Sequence, residues 1–275
     1  MKQLFSIGPF NIHFFGIMIA IGALIGLWFF VKEARRRKLN ESLLIDGALY
    51  SIMAGFIGAR LVYVLIYSPA HYLANPIEIL FVHQGGLSIH GGILGGLLTG
   101  YLYLKKHQLP IWETLDAAAP ALILAQGISR IGCDVFGAPV VSALPWAIEF
   151  QGELLHPAQA YEFLLDYLLF GYLWVRRTAA TYHGQIFLHY LIGFMAIRGI
   201  VELFRINPMI LGPFSVSHAL SAIGIGIGII LMMILKKRLP IKPVGKIDKA
   251  EAIKIAISIL VLAIVSLGIY YLVQA

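Results

Sequence analysis

The sequence predicts an all-α polytopic membrane protein of about eight transmembrane helices with a small outer head segment, and three observations predict it. Hydrophobic residues make up 59% of the 275 and charged residues 13%, with a mean hydropathy of +0.84, whereas soluble domains carry about 25% charged residues. Eight apolar runs, at 12–31, 44–67, 87–104, 113–131, 158–175, 185–205, 215–235 and 252–273, approach the ~20 residues that cross a ~30 Å hydrocarbon layer at 1.5 Å per residue. Finally, fifteen of the 21 Lys and Arg residues fall in four connecting segments: five in 32–38, two at 105–106, two at 176–177 and six in 236–249.

The positive-inside rule makes those four segments cytoplasmic, and the eight runs then alternate without conflict, both chain ends lying outside. Run 12–31 is read as a retained helix rather than a signal peptide, because it is long, lacks a small-x-small cleavage site and is followed by Lys32 to Lys38. Run 44–67 returns to an outer arm, 68–86. Run 87–104 opens on glycines, and 113–131 ends in Arg130 before the outer head segment 132–157. Run 158–175 starts just after His156-Pro157, run 185–205 carries a stripe of charge, and 215–235 leads into a basic linker, 236–251. Run 252–273 closes the chain. Neither a long internal repeat nor a low-complexity tract interrupts this order. Cys133, the single cysteine, excludes an internal disulfide. The net charge of +7 reflects the cytoplasmic loops and anionic headgroups, so nucleic acid is not expected as a partner. No metal or cofactor is expected either.

Apart from Lys2 and Lys254 at helix ends, the remaining cations are Arg60, Arg130, Arg198 and Arg205, all within or at the outer ends of apolar runs. A charge at such depth costs about 2.5–3.5 kcal/mol even on the lenient insertion scale, so each needs a partner or a function. Arg198, Glu202 and Arg205 follow one another at helical spacing, and the carboxylate can neutralise one guanidinium while leaving the other available. An ion-paired structural strut is the plain alternative for this stripe, and snorkelling to the interface is the alternative for Arg60. Several guanidinium groups at one outer level suit a phosphate, which they bind with two parallel donors, and the natural phosphate there is a phospholipid headgroup.

Two further clusters stand out. Residues 85–92 read Gly-Gly-Leu-Ser-Ile-His-Gly-Gly, with Gly95, Gly96 and Gly100 beyond. Small residues four apart let helices approach closely, which accounts for Gly91, Gly95 and Gly96 by packing. For His90 a proton-handling role and a hydrogen-bonded structural role both stay open. Residues 156–162 read His-Pro-Ala-Gln-Ala-Tyr-Glu. A first-turn proline explains itself, but a plain interfacial turn needs no such set as His156, Gln159, Tyr161 and Glu162.

Taken in order, these motifs, with Ser-Arg-Ile-Gly at 129–132 and Arg-Gly-Ile-Val-Glu-Leu-Phe-Arg at 198–205, resemble the prolipoprotein diacylglyceryl transferases. Ile12-His13-Phe14-Phe15-Gly16 and Gly58-Ala59-Arg60-Leu61-Val62-Tyr63 are similar to that family too, so the likeness spans most of residues 7–235. The resemblance implies a seven-helix core over 1–235, with 252–273 as an added eighth span. It implies transfer of an sn-1,2-diacylglyceryl group from phosphatidylglycerol to the lipobox cysteine of a preprolipoprotein, at the outer face of a bacterial inner membrane. Phosphatidylglycerol, lipobox-containing preprolipoproteins and membrane lipids are then the partners. The candidate catalytic residues are His90, Arg130, Arg198 and Glu202: the two arginines for the phosphate, Glu202 to orient Arg198, His90 for proton handling or lipid positioning. Arg60, Gly91, Gly92, Gly137, His156, Gln159, Tyr161, Glu162 and Arg205 are the candidate substrate-binding residues.

The chain also departs from the family's pattern. Where the family continues Asn-Phe-x-Asn-Gly-Glu, this chain reads Cys133-Asp134-Val135-Phe136-Gly137-Ala138 and is shortened, and two expected tyrosines are Phe15 and Phe194. These losses keep a second class open: a paralogue that binds or translocates phospholipid headgroups without forming a thioether.

Overall fold

The computed structural model describes residues 2–8, 10–67, 69–82, 85–140, 144–211, 214–245 and 247–274. The chain opens on a hairpin, β1 (Gln3–Ile7) and β2 (Phe10–His13). The long helices are α1 (Phe14–Arg36), α2 (Glu41–Tyr67), α4 (Ile89–Lys106), α5 (Ile111–Ile131), α6 (Ala158–Arg176), α7 (Gln185–Glu202), α8 (Val216–Arg238) and α9 (Lys249–Gln274), one for each apolar run. Among them α1, α2, α7, α8 and α9 are long and apolar enough to cross a membrane by length and composition. The other three are of spanning length but more polar: α4 through its glycines, α5 through Glu113, Asp116 and Arg130, and α6 through Glu162, Asp166 and Arg176. The protein is an all-α, multi-pass membrane protein. Unforeseen in the sequence are the short helix α3 (Pro69–Ala74), a 3-10 turn over Pro76–Leu80, and two small hairpins, β3 (Ile148–Phe150) with β4 (Glu153–Leu155) and β5 (Met209–Leu211) with β6 (Phe214–Ser215).

Two compact units make up the chain. One comprises Ile7–Asn11 and Val31–Thr114. Here α2 lies along α4, and the approach is so close that a Cβ on Gly91 would collide with the carbonyl oxygen of Gly58. Packing without side chains is how helices associate where no hydrophobic force separates protein from lipid. The two tight turns of this unit, after α1 and after α4, are built alike. Lys38 and Gln108 take positive φ (58° and 54°), and the next residue's N–H returns to the last helical turn, Leu39 to Ala34 and Leu109 to Leu104. Each helix end is thereby capped, and Asn40 Oδ1 accepts from the Leu43 N–H to start α2.

The other unit comprises Met1–Ser6, Ile12–Phe30 and Leu115–Ala275. Its core centres on α6, whose Phe163, Tyr167, Phe170, Leu173 and Trp174 are buried among Phe14, Met18, Ile123, Ile128, Ile186 and Tyr190. A full apolar stripe on α6 and partners on both sides make it the innermost helix, with α7 and α9 packed against it and α8 against α7. One buried acid ties two helices together. Asp116, fully buried in α5, accepts from the backbone N–H groups of Gly184 (2.9 Å) and Phe187 (3.0 Å). It satisfies donors that the first turn of α7 cannot satisfy within the helix.

Candidate functional site

The site grows from helix ends of the second unit. Arg130 stands in the last turn of α5, Glu162 in the second turn of α6, and Arg198 one turn before the end of α7. The three meet. Arg130 Nη2 lies 3.0 Å from Glu162 Oε1, and Arg198 Nη1 donates to both oxygens of the same carboxylate at 3.3 Å. Glu162 is 2% exposed while the two arginines keep 29% and 20% of their side-chain surface. The buried acid therefore holds two guanidinium groups whose outer edges still reach solvent or ligand.

Glu202 was expected to orient Arg198, but that contact is weak. Its Oε2 lies 3.8 Å from Arg198 Nη2, too long for a hydrogen bond. Oε1 instead accepts from Ser215 Oγ (2.5 Å), at the start of α8, and from Asn207 Nδ2 (2.7 Å), in the turn after α7. Ser215 in turn caps α8 jointly with His218. Glu202 thus stitches the end of α7 to the start of α8, and the carboxylate that orients Arg198 comes from α6.

Arg205 lies just past α7, half-buried, with no hydrogen-bond or ion-pair partner for its side chain among the described residues. Arg198 and Arg130 set like charges near it. A group disfavoured by its cationic neighbours in this way is relieved by an anion.

The head segment is tied to the same helix ends. A backbone ladder joins Gly137 N–H to the His156 carbonyl (2.8 Å), His156 N–H to Ala138 (3.0 Å) and Ala138 N–H to Phe204 (2.7 Å), so the loop after α5 is sewn to the turn after α7. Gly137 has to be glycine, since a Cβ there would strike the Phe204 carbonyl. The Tyr161 hydroxyl accepts from Trp146 Nε1 (2.9 Å) and faces His156 Nδ1 (3.2 Å). Gln159, 2% exposed, donates from Nε2 to the Cys133 carbonyl (3.2 Å).

Arg60, His90, Gly91 and Gly92 belong to the first unit. Arg60 is 6% exposed and donates to the carbonyls of Ile79 (2.9 Å), Gly85 (2.8 Å), Gly86 (3.0 Å) and Glu78 (2.6 Å). Four of its five N–H groups are thus engaged in clamping this loop to α2. His90 is exposed in the first turn of α4. Gly91 is buried against α2, and Gly92 lines an open, mostly apolar groove with Ala59, Leu87 and Ile93.

Several site residues were not foreseen. Ser215 and Asn207 became relevant only through Glu202. Asp166, fully buried one turn beyond Glu162, has neither oxygen hydrogen-bonded among the described residues. Its i+4 spacing from Glu162 was the available signal. Trp146 and Tyr270, which donates to Gln159, carried none.

The prolipoprotein diacylglyceryl transferase family profile matches residues 2–234. Similar proteins include the phosphatidylglycerol--prolipoprotein diacylglyceryl transferase of Bacillus cytotoxicus, 33% identical over 245 residues, covering 84% of this chain and 90% of that one. Those of Clostridioides difficile (33% over 239 residues; 86% and 96%) and Finegoldia magna (34% over 243 residues; 86% and 97%) carry the same name.

Proposed function

The chain belongs to the prolipoprotein diacylglyceryl transferase family, and we propose that Arg130, Arg198 and Arg205 hold the phosphate of its lipid donor during the transfer. The reaction is movement of a diacylglyceryl group from phosphatidylglycerol to a prolipoprotein, and the acceptor atom is the lipobox cysteine sulfur. The relatives' shared name favours transfer over the binding-only alternative.

The observation that carries the reading is the sharing of one buried carboxylate, Glu162, by two guanidinium groups beside a third that has no partner among the described residues. Such a cluster is charge-balanced enough to sit in a membrane and still short of anions. In the reaction a carbon–sulfur bond forms at the glycerol carbon next to the phosphate, and the carbon–oxygen bond to phosphate breaks. Glycerol phosphate leaves with that electron pair. The thiol must first lose its proton, because the thiolate is the nucleophile. Guanidinium donors already in place stabilise the charge that grows on the leaving phosphate, and losing one such donor costs about 2.7–4 kcal/mol in other enzymes. Arg130 and Arg198 are placed for this role by Glu162, and Arg205 is the donor left for the headgroup. Tyr161, His156 and Gly137 shape the head segment above them. For His90, exposed on α4, the sequence suggests proton handling or lipid positioning, tested on its own by His90→Asn.

The family span and the basic segments also support a topology: residues 1–235 as the transferase domain with the arm 68–86 and head 132–157 outside, 236–251 as a cytoplasmic linker, and 252–273 as an added span in a bacterial cytoplasmic membrane. The site then faces the outer leaflet. Cysteines introduced singly at 68–86 should react with an impermeant reagent on intact cells and those at 236–249 should not; the reverse pattern overturns the orientation. The activity itself is tested with purified protein, phosphatidylglycerol vesicles and a lipobox peptide. A peptide mass increase that requires phosphatidylglycerol, and is lost when the acceptor Cys becomes Ser, is expected. Tight phosphatidylglycerol binding with no mass change after long incubation would return the chain to the binding-only class.

A further inference from the structure

We propose that α9, which lies beyond the family-matched residues 2–234, is a wall of the site, and that Tyr270 is a positioning residue acting through Gln159 on the turn that carries Arg130. Tyr270 is fully buried, and its hydroxyl lies 3.1 Å from Gln159 Oε1. The direction of each bond is fixed by chemistry. The Cys133 carbonyl can only accept, so the Gln159 amide nitrogen faces it, the amide oxygen faces Tyr270, and Tyr270 must donate. Cys133 is the next link: its N–H returns to the Arg130 carbonyl (3.2 Å) and its sulfur lies 3.5 Å from Arg130 Nη1. Four residues thus run in an unbroken chain from α9 to the phosphate-facing guanidinium.

Neighbouring contacts set the rotation of α9. One turn earlier, Ser266, 1% exposed, pairs with the Tyr167 hydroxyl of α6 at 2.9 Å. Immediately after, Tyr271 donates to the Trp146 carbonyl at 2.7 Å, and Trp146 is the donor to Tyr161. The two tyrosines therefore grip the floor and the head of the site from a single helix end. The opposite face, with Leu260, Val261, Ile264 and Val265, is exposed and apolar, as a lipid-facing surface should be. Packing alone would be served as well by Leu or Phe at 266 and 270. A buried hydroxyl costs free energy unless it is bonded, so hydroxyls at both inward positions mark a demand for directed contact.

This inference rests on the reading of Arg130 as a phosphate ligand, and the experiment separates the two. The full-length chain and its variants are assayed for kcat, for KM toward phosphatidylglycerol and for melting temperature with a lipobox peptide as acceptor. Tyr270→Phe keeps the ring and removes the donor. Its kcat should fall about fivefold, the loss expected of one neutral hydrogen bond, with KM unchanged and the melting temperature no lower than that of Ser266→Ala. Ser266→Ala, which breaks the α9 contact that does not lead to Arg130, should keep wild-type kcat. The double variant Tyr270→Phe/Gln159→Met should be no slower than Gln159→Met. Wild-type kcat in Tyr270→Phe, or an equal loss in Ser266→Ala, overturns the proposal; where Tyr270→Phe does not fold, wild-type kcat in Gln159→Met does the same. A fully active Arg130→Lys would overturn the reading of Arg130 and the inference with it, whereas an inactive one leaves a failed Tyr270 arm to count against the inference alone.

Discussion

Arg60 and Arg198 are both arginines near the C-terminal end of an apolar helix, and residue type and position alone do not separate a clamp from a proposed ligand site. Their partners do. Arg60 is matched by backbone carbonyls of a neighbouring loop, with four of its five N–H groups engaged. Arg198 shares the Glu162 carboxylate with Arg130, next to an Arg205 with no partner among the described residues. A carbonyl cage engages most of a guanidinium's donors and leaves it little to offer. A shared carboxylate under-satisfies several at once and leaves an appetite for one more anion. The intramembrane arginine to be read as functional is therefore the one whose neighbours include more cations than their acids can engage.

The sharpest way to break this comparison is to remove the shared acid. Glu162→Ala strands two guanidinium groups in a low-dielectric setting, and loss of one partner of a buried pair costs about 3–5 kcal/mol. Both the melting temperature and the transfer activity should fall, and a variant that melts like wild type would show that the arginines find other partners. Next comes Arg198→Lys, which keeps the charge but not the planar fork. Peptide mass spectrometry should show transfer lower by about a hundredfold or more, with the melting temperature closer to wild type than in Glu162→Ala. Wild-type turnover there would make Arg198 a structural ion-pair member. Arg60→Leu should show the opposite split. It leaves carbonyls without donors at a cost of about 1–3 kcal/mol, read as a lower melting temperature, while transfer per folded molecule persists; equal loss of transfer would dissolve the contrast between the two arginines. Smallest is Cys133→Ala, which removes a 3.5 Å sulfur contact to Arg130 and leaves the backbone bonds of residue 133 in place, so thioether formation should continue; its disappearance would bring that thiol into the mechanism.

The helices were legible because a membrane demands long apolar runs, and each of the eight runs became one long helix. The charged stripe of α7 was legible too, since i+4 and i+3 spacing is a property of one helix. Who pairs with whom was not. Glu202 is the sequence neighbour of Arg198, yet the side chain that reaches it is Glu162 from α6, and only tertiary packing brings α6 and α7 into register. Arg60 was ambiguous for the same reason, because its acceptors are backbone atoms 18 to 26 residues away that no residue type announces. Tyr270 reads from sequence as an ordinary interfacial tyrosine near a helix end. Its burial against Gln159, 111 positions earlier in the chain, depends on where α9 docks.

Asp116 has a mechanical consequence for all of this. It pins α5 to the start of α7 fourteen residues before Arg130, roughly 21 Å down a helix rising 1.5 Å per residue, and Glu162 bridges the same two helices again at their other ends. Two rods bolted at both ends cannot slide or screw past one another. The gap between the two guanidinium groups is then a fixed gauge, set partly by an acid that never meets the lipid, so a change at Asp116 would register as a jaw that no longer fits the phosphate proposed for it.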